Sequence, residues 1–154
     1  MRIVVLSDTH VDRLEHLPEK IADAISSADL IIHAGDFTDV QVLKELRQLR
    51  QVKAVHGNTG SQELETVLAA KEIVEVTNKR IGITHGSGAP CGIEERVRKM
   101  LESDQIDIIV YGHPHQAQSK VIKGIPFLNP GKADESFGIL DINAEARGGI
   151  VSSR

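Results

Sequence analysis

The sequence predicts an α/β fold organised around a mainly parallel sheet, on three observations. Short apolar runs without alternation recur, as in strands buried on both faces. Between them lie stretches with apolar residues at helical spacing, the strand–helix–strand rhythm of right-handed crossovers. Several runs also end in Asp, Asn or His, and in open α/β sheets ligands gather beyond the carboxyl ends of the strands. The 154 residues, 40% hydrophobic and 26% charged, suit a single domain over 1–154.

The first strand, Arg2 to Leu6, stops at Ser7-Asp8-Thr9-His10. Leu17, Ile21, Ala24, Ile25 and Ala28 predict a helix from Leu17 to Ala28, with Pro18 early enough to be tolerated. A second buried strand, Asp29 to Ala34, ends in Gly35-Asp36. Val40, Leu43 and Leu46 mark an amphipathic helix, and the strand Gln51 to His56 ends in Gly57-Asn58. Ser61 to Ala70 is expected to form a short helix. Glu72–Val76 and Arg80–Thr84 flank Thr77-Asn78-Lys79 as a hairpin, the second strand ending in His85-Gly86. A loop from Gly86 to Gly92 leads into a helix from Ile93 to Glu102, and the buried strand Ile106 to Tyr111 ends in Gly112-His113-Pro114-His115. The remainder is expected to be antiparallel. Ser119–Ile122 pairs with Ile125–Leu128 across Lys123-Gly124. Asn129-Pro130-Gly131 is a loop, and Phe137–Ile142 pairs with Gly149–Ser152.

Composition limits the function. A net charge of −4, no basic run, 3% aromatics and no Trp leave no platform for stacking bases, so no long nucleic acid is expected as partner. A compact phosphate ester held by bound metal remains compatible. Cys91 is the only cysteine, which fits a reducing compartment. The apolar start meets Ser7-Asp8 too early for a signal peptide, and no stretch approaches membrane-spanning length. The expectation is a cytoplasmic protein without a membrane partner.

Seven candidate ligands lie just past strand ends: Asp8, His10, Asp36, Asn58, His85, His113 and His115. Oxygen and imidazole donors without thiolate suit divalent Mn, Fe, Zn, Co or Ni rather than calcium. Seven exceed the needs of one ion, whereas two ions sharing a carboxylate would use them. Two ions ~3.5–4 Å apart can hold a hydroxide between them and clamp an in-line displacement at phosphorus. Taken singly, Asp8 could be a cap, Asp36 and Asn58 turn residues, and His113 and His115 an exposed turn. All seven together, in order, favour ligation. His33 and His56 precede the Gly-Asp and Gly-Asn turns and are candidates for orienting ligands, with simple packing as an equal alternative. His16 is expected to be solvated and Cys91 to be an inert loop residue.

The ordered set Asp8-Thr9-His10, Gly35-Asp36, Gly57-Asn58, His85 and Gly112-His113-Pro114-His115 resembles the calcineurin-like metallophosphoesterase superfamily. Asn129-Pro130-Gly131 resembles the loop that follows in its small single-domain phosphodiesterase branch, which includes manganese-dependent bacterial and archaeal enzymes. The resemblance implies a four-layer αββα sandwich, a mostly parallel mixed sheet packed on an antiparallel-rich sheet with helices outside. The second sheet would be formed by the antiparallel strands near the C-terminus. It implies that Asp8, His10 and His115 hold one ion, that Asp36 bridges, and that Asn58, His85 and His113 complete the second site. Asp36, Asn58 and His85 are then the catalytic candidates. The implied cofactor is a pair of divalent ions, manganese first, with nickel, cobalt, iron or zinc as alternatives. The implied reaction is hydrolysis of small phosphodiesters through a hydroxide held by the metals.

One departure stands out. Many members follow Gly-Asn with a His, thought to protonate the leaving group, and an acidic residue that steadies it. This chain has Thr59-Gly60, so Thr59 joins the secondary site candidates and the proton source is open. A non-catalytic interaction scaffold on the same fold, like the retromer subunit, is the alternative, disfavoured by the complete ligand set. A dinucleotide-binding domain is excluded because no glycine-rich turn follows Leu6. A homo-oligomer is compatible with the sequence.

Overall fold

In strand β1 (Arg2–Leu6), alternate side chains enter different cores, and that division sets the layering of the molecule. The structure, a computed structural model, describes residues 1–154. Val4 and Leu6 pack with Ile21 and Ile25 of helix α1 (Glu19–Ser26) and with Val42, Leu43 and Leu46 of helix α2 (Val40–Leu49). Ile3 and Val5 point the other way, into a cluster with Val74 of β4 (Lys71–Val76), Ile81 and Ile83 of β5 (Lys79–Thr84), and Ile108 and Val110 of β6 (Ile108–Tyr111). The outer face of β6, Ile109 and Tyr111, meets Ile93, Val97 and Leu101 on and beside helix α4 (Ile93–Met100). Three apolar clusters therefore separate four layers, helix–sheet–sheet–helix, as the resemblance implied.

The first sheet also holds β2 (Leu30–His33), β3 (Val52–Ala54), β9 (Ser136–Ile142) and β10 (Ala146–Ser152), in the order β10-β9-β1-β2-β3. The second holds β7 (Gln118–Ile122) and β8 (Ile125–Asn129), in the order β4-β5-β6-β8-β7. Here the strand allocation differs from expectation. The last pair, β9 and β10, does not build the second sheet. It extends the first, with β9 antiparallel to β1 through Arg2↔Asp141 to Val5↔Gly138. In the first sheet the parallel block β1–β2–β3 runs to one edge and the antiparallel pair lies on its other side, whereas the second has a parallel centre, β5–β6–β8, with an antiparallel strand on each flank. A run such as Phe137 to Ile142 shows that a strand is half-buried but not which edge it joins. Closeness of approach decides it: a Cβ at Gly138 would lie 3.1 Å from Val5 Cβ and 3.0 Å from Leu128.

Local boundaries shift modestly. The expected Leu17–Ala28 helix is the shorter α1, which starts after Pro18 because that residue lacks an N–H and sits at the cap; a 3₁₀ turn (Leu14–His16) precedes it. The third strand is only Val52–Ala54, with Val55 continuing as a single bridge to Ala69. Helix α3 (Gln62–Val67) is shorter than its apolar pattern suggested, and α2 is capped by Asp39, which accepts from the Gln41 N–H at 2.8 Å. No helix is long and apolar enough to cross a membrane.

Candidate metal centre

The parallel strands of both sheets point their carboxyl ends the same way, and the ladders run on into the turns that carry polar residues. The Ala34 N–H donates to Leu6 O and the Asp8 N–H to Gly35 O, tying the two turns that present Asp8 and Asp36. The Gly112 N–H donates to His85 O and does the same for β5 and β6. Four of the six non-glycine residues with left-handed backbone are among the seven candidate ligands: Asp8, His10, Asp36 and His113. Such conformations persist only where surrounding structure imposes them, and they concentrate at functional sites.

Asp8, His10 and His115 converge, as do Asp8, Asp36 and His85, with the ligand atoms in each group within 4.8 Å of one another. Asp8 Oδ1 is 3.8 Å from His10 Nε2 and 3.5 Å from His115 Nε2. His85 Nε2 is 3.2 Å from Asp36 Oδ2. Asn58 Nδ2 lies 3.0 Å from His113 Nδ1, and the His85 and His113 rings stand edge to face at 5.4 Å. All seven predicted residues therefore belong to one connected site. Asp8 shares in both three-residue groups, which the sequence did not indicate.

The chain's own hydrogen bonds set the tautomers. Ala34 O can only accept, so its 2.7 Å contact places a proton on His85 Nδ1 and leaves Nε2 to meet Asp36 Oδ2 or a bound ion. Gly88 O likewise takes the His113 Nε2 proton at 2.8 Å, leaving Nδ1 bare toward Asn58. Asp8 is fully buried; burial pushes its carboxyl pKa up, against a 2.7 Å hydrogen bond from the Ser7 hydroxyl to Oδ2. Burial also opposes the Asp36 charge. Even so, the His85 ring and the backbone N–H groups of Thr59 and Asn58 hold that carboxyl well below the usual range.

A divalent ion fits this donor set. Asp8 Oδ1 and His85 Nε2 are buried polar atoms without a hydrogen-bond partner, and no Lys or Arg pairs with either carboxylate. Two buried carboxylates faced only by imidazole side chains are costly unless a cation joins them, whether a proton on His85 or a metal ion.

The secondary candidates separate. The Gly35 N–H donates to His33 Nδ1 at 3.2 Å, so the proton is on Nε2, facing Thr9 Oγ1 at 3.3 Å. Stacked on Phe37 at 3.6 Å and fully buried, His33 braces the Gly35-Asp36 turn as a neutral ring, its pKa lowered to about 3 by burial. His56 is half-buried, and its ring's hydrogen-bond contact is its neighbour Gly57 O, at 3.1 Å. Thr59 contributes its backbone N–H, 2.9 Å from Asp36 Oδ1, while its side chain is exposed. His16 is exposed and paired with Asp12, as expected of a solvated residue.

Sequence reasoning missed the supports. Ser7 holds both Asp8 and the Gly131 carbonyl. Asn129 donates to Pro114 O and Gln116 O and accepts from the Gly131 N–H, so the Asn129-Pro130-Gly131 loop braces the segment carrying His115. The Asn-Pro-Gly signal was visible; its partners were not. A cavity of about 170 Å³ beside the site is lined by His56, Asn58, Thr84, His85, Ser87 and Met100 among others. A larger groove of about 400 Å³ lies at the other end of β6, around Ile108, and holds no histidine or carboxylate.

The sequence pattern of the calcineurin-like phosphoesterase superfamily domain matches residues 1–144. A probable metallophosphoesterase of Methanothermobacter thermautotrophicus is 34% identical over 153 residues, covering 94% of this chain and 88% of its own. A phosphodiesterase of Methanocaldococcus jannaschii is 29% identical over 165 residues, covering 92% and 93%. The zinc complex of Vps29 from Entamoeba histolytica superposes over the full length of both chains with a TM-score of 0.78 at 24% identity, a likeness of fold.

Proposed function

Because the chain belongs to the calcineurin-like phosphoesterase superfamily and is a phosphoric ester hydrolase, we propose that it acts, as one domain over 1–154, on small phosphodiesters with two divalent ions. The observation that carries the proposal is the pair of orphaned buried atoms, Asp8 Oδ1 and His85 Nε2, among five converging donors, Asp8, His10, Asp36, His85 and His115, with Asn58 and His113 in contact beside them. Asp8, His10 and His115 would hold one ion, Asn58, His85 and His113 the other, with Asp36 shared. Manganese is the first candidate, and nickel, cobalt, iron and zinc suit the same donors.

Bound there, two divalent ions supply Lewis acidity and an activated water for in-line attack on phosphorus. The chain's own groups do the rest. Ala34 O and Gly88 O keep the His85 and His113 lone pairs turned into the site. The Thr59 N–H, 2.9 Å from Asp36 Oδ1, keeps that carboxylate aimed. Asn58 is exposed, and the amide proton not directed at His113 is free to donate to a phosphoryl oxygen as charge builds there. His10, Asn58 and His115 are exposed, so the phosphate is reached directly from solvent, and the 170 Å³ cavity offers room for one small ester group. With a net charge of −4 and few aromatics, a compact diester in the cytoplasm is the substrate class that fits.

Reconstitution followed by elemental analysis should approach two ions per chain. Bis(p-nitrophenyl) phosphate should be cleaved, with activity lost to chelator and restored best by Mn²⁺. Mg²⁺ should restore it less well, because it takes imidazole reluctantly. A chain with no micromolar affinity for any of these ions at neutral pH would refute the proposal.

A further inference from the structure

Arg96 in α4 makes no ion pair; its guanidinium is spent on carbonyls of one loop. Nε donates to Ser87 O at 3.0 Å, Nη1 to Cys91 O at 3.0 Å, and Nη2 to Ala89 O. The loop between β5 and α4 has little else to hold it. Residues 87–92 are all exposed, and Gly86, Gly88 and Gly92 all sit at positive φ. The carbonyls alternate: those of residues 87, 89 and 91 turn to Arg96, while the one between, Gly88 O, takes the His113 Nε2 proton.

We propose that Arg96 is a positioning residue: by clamping three alternate carbonyls it holds Gly88 O in place, and thereby sets the tautomer and orientation of His113. This rests on the assignment of His113 as a ligand made above. The physical case is one of donor geometry. Only a guanidinium presents a rigid planar fork that can satisfy several carbonyls at once, whereas an ammonium is a single point of charge. If Gly88 O drifts, the Asn58 amide alone still opposes a shift of the proton from Nε2. The ring can then carry its proton on Nδ1, against Asn58, where the lone pair is needed. Partners of this kind typically change metal affinity by ~10–100-fold when removed.

The test uses the full chain with Arg96→Gln, Arg96→Lys and, on the same helix, Arg98→Gln, whose side chain makes no hydrogen bond or ion pair. Two-bond ¹⁵N correlation spectra of the metal-free protein at alkaline pH read the His113 tautomer, and Mn²⁺ titration calorimetry reads both ion sites. Wild type should show the Nε2–H form. Arg96→Gln should show a mixture and weaken one ion site by ~10-fold with the other unchanged. Arg96→Lys, which keeps the charge and guards against lost folding, should fall between, and Arg98→Gln should match wild type. His113→Ala is the reference. If it keeps both ion affinities, the ligand assignment falls and this inference with it. If His113→Ala loses a site while Arg96→Gln lowers the melting temperature but leaves tautomer and affinities untouched, the inference alone is overturned.

Discussion

Substituting Gly57 by alanine places a methyl group where the Asp36 carboxylate now sits. A Cβ built there would lie 1.9 Å from Asp36 Oδ1 and 2.3 Å from Asp36 N, short of an ordinary 3.4 Å contact by about 1.5 and 1.1 Å. Rotating the Asp36 side chain cannot relieve the clash, because the backbone nitrogen is implicated as well. The Gly35-Asp36 turn must move, and the 2.9 Å hydrogen bond from the Thr59 N–H is lost with it. Overpacking of this kind costs about 1–3 kcal/mol, which for a chain of this length lowers the melting temperature by roughly 2–12 °C. The kinetic cost is larger in proportion, since a ~1 Å misplacement of a positioned group can cost ~10²-fold in rate. Melting curves of metal-free protein, ion content after reconstitution and initial rates on bis(p-nitrophenyl) phosphate measure the three effects. Gly149→Ala, where a Cβ meets nothing within 4 Å, is the control and should leave all three unchanged. Wild-type kcat/KM and full ion content in Gly57→Ala would refute the assignment of Asp36 as the shared ligand.

Two further outcomes follow from the residues around the site. His33 is buried with its pKa lowered to about 3 from 6.5, so below pH 6.5 the unfolded chain takes up a proton that the folded chain refuses. Its contribution to stability is therefore present above 6.5 and lost on acidification, by ~1.4 kcal/mol per pH unit down toward pH 3. Urea midpoints of metal-free His33→Gln should fall less steeply over that range than wild type, and equal slopes would contradict the neutral brace. At position 59 the backbone N–H serves Asp36 and the side chain is exposed, so Thr59→Ala should keep near wild-type turnover. With no imidazole there, log kcat/KM should drop steeply as the leaving group grows more basic, where chemistry limits the rate. A flat dependence would point to another proton donor, with His56 in the adjoining cavity the first to test. Thr59→His should flatten the slope. Adding Gly60→Asp should not help, because Gly60 stands at φ +124 and a Cβ would meet Phe37 O at 2.8 Å.

The local pattern of the chain determined the order and type of its elements and picked out the seven candidate donors. Each apolar run such as Ile3-Val4-Val5-Leu6 ends within one or two residues of the polar turn it presents, so that information is contained in a few adjacent positions. The missing acid after Gly57-Asn58-Thr59 was legible too, although the positive φ of Gly60 and the Phe37 carbonyl close beside it were not. Tertiary structure alone decided three things. It sent β9 and β10 to the edge of the first sheet, because strand pairing joins residues such as Arg2 and Asp141 across the whole chain and an alternating pattern names no partner. It placed Asp8 in both ligand groups, since two sheets had to bring their strand ends together before β1, β2 and β5 could share one cavity. It also chose the tautomers of His33, His85 and His113 through Gly35 N–H, Ala34 O and Gly88 O. Backbone N–H and C=O groups are common to almost every residue, so what they bond to depends on where the chain goes and not on which side chain they carry.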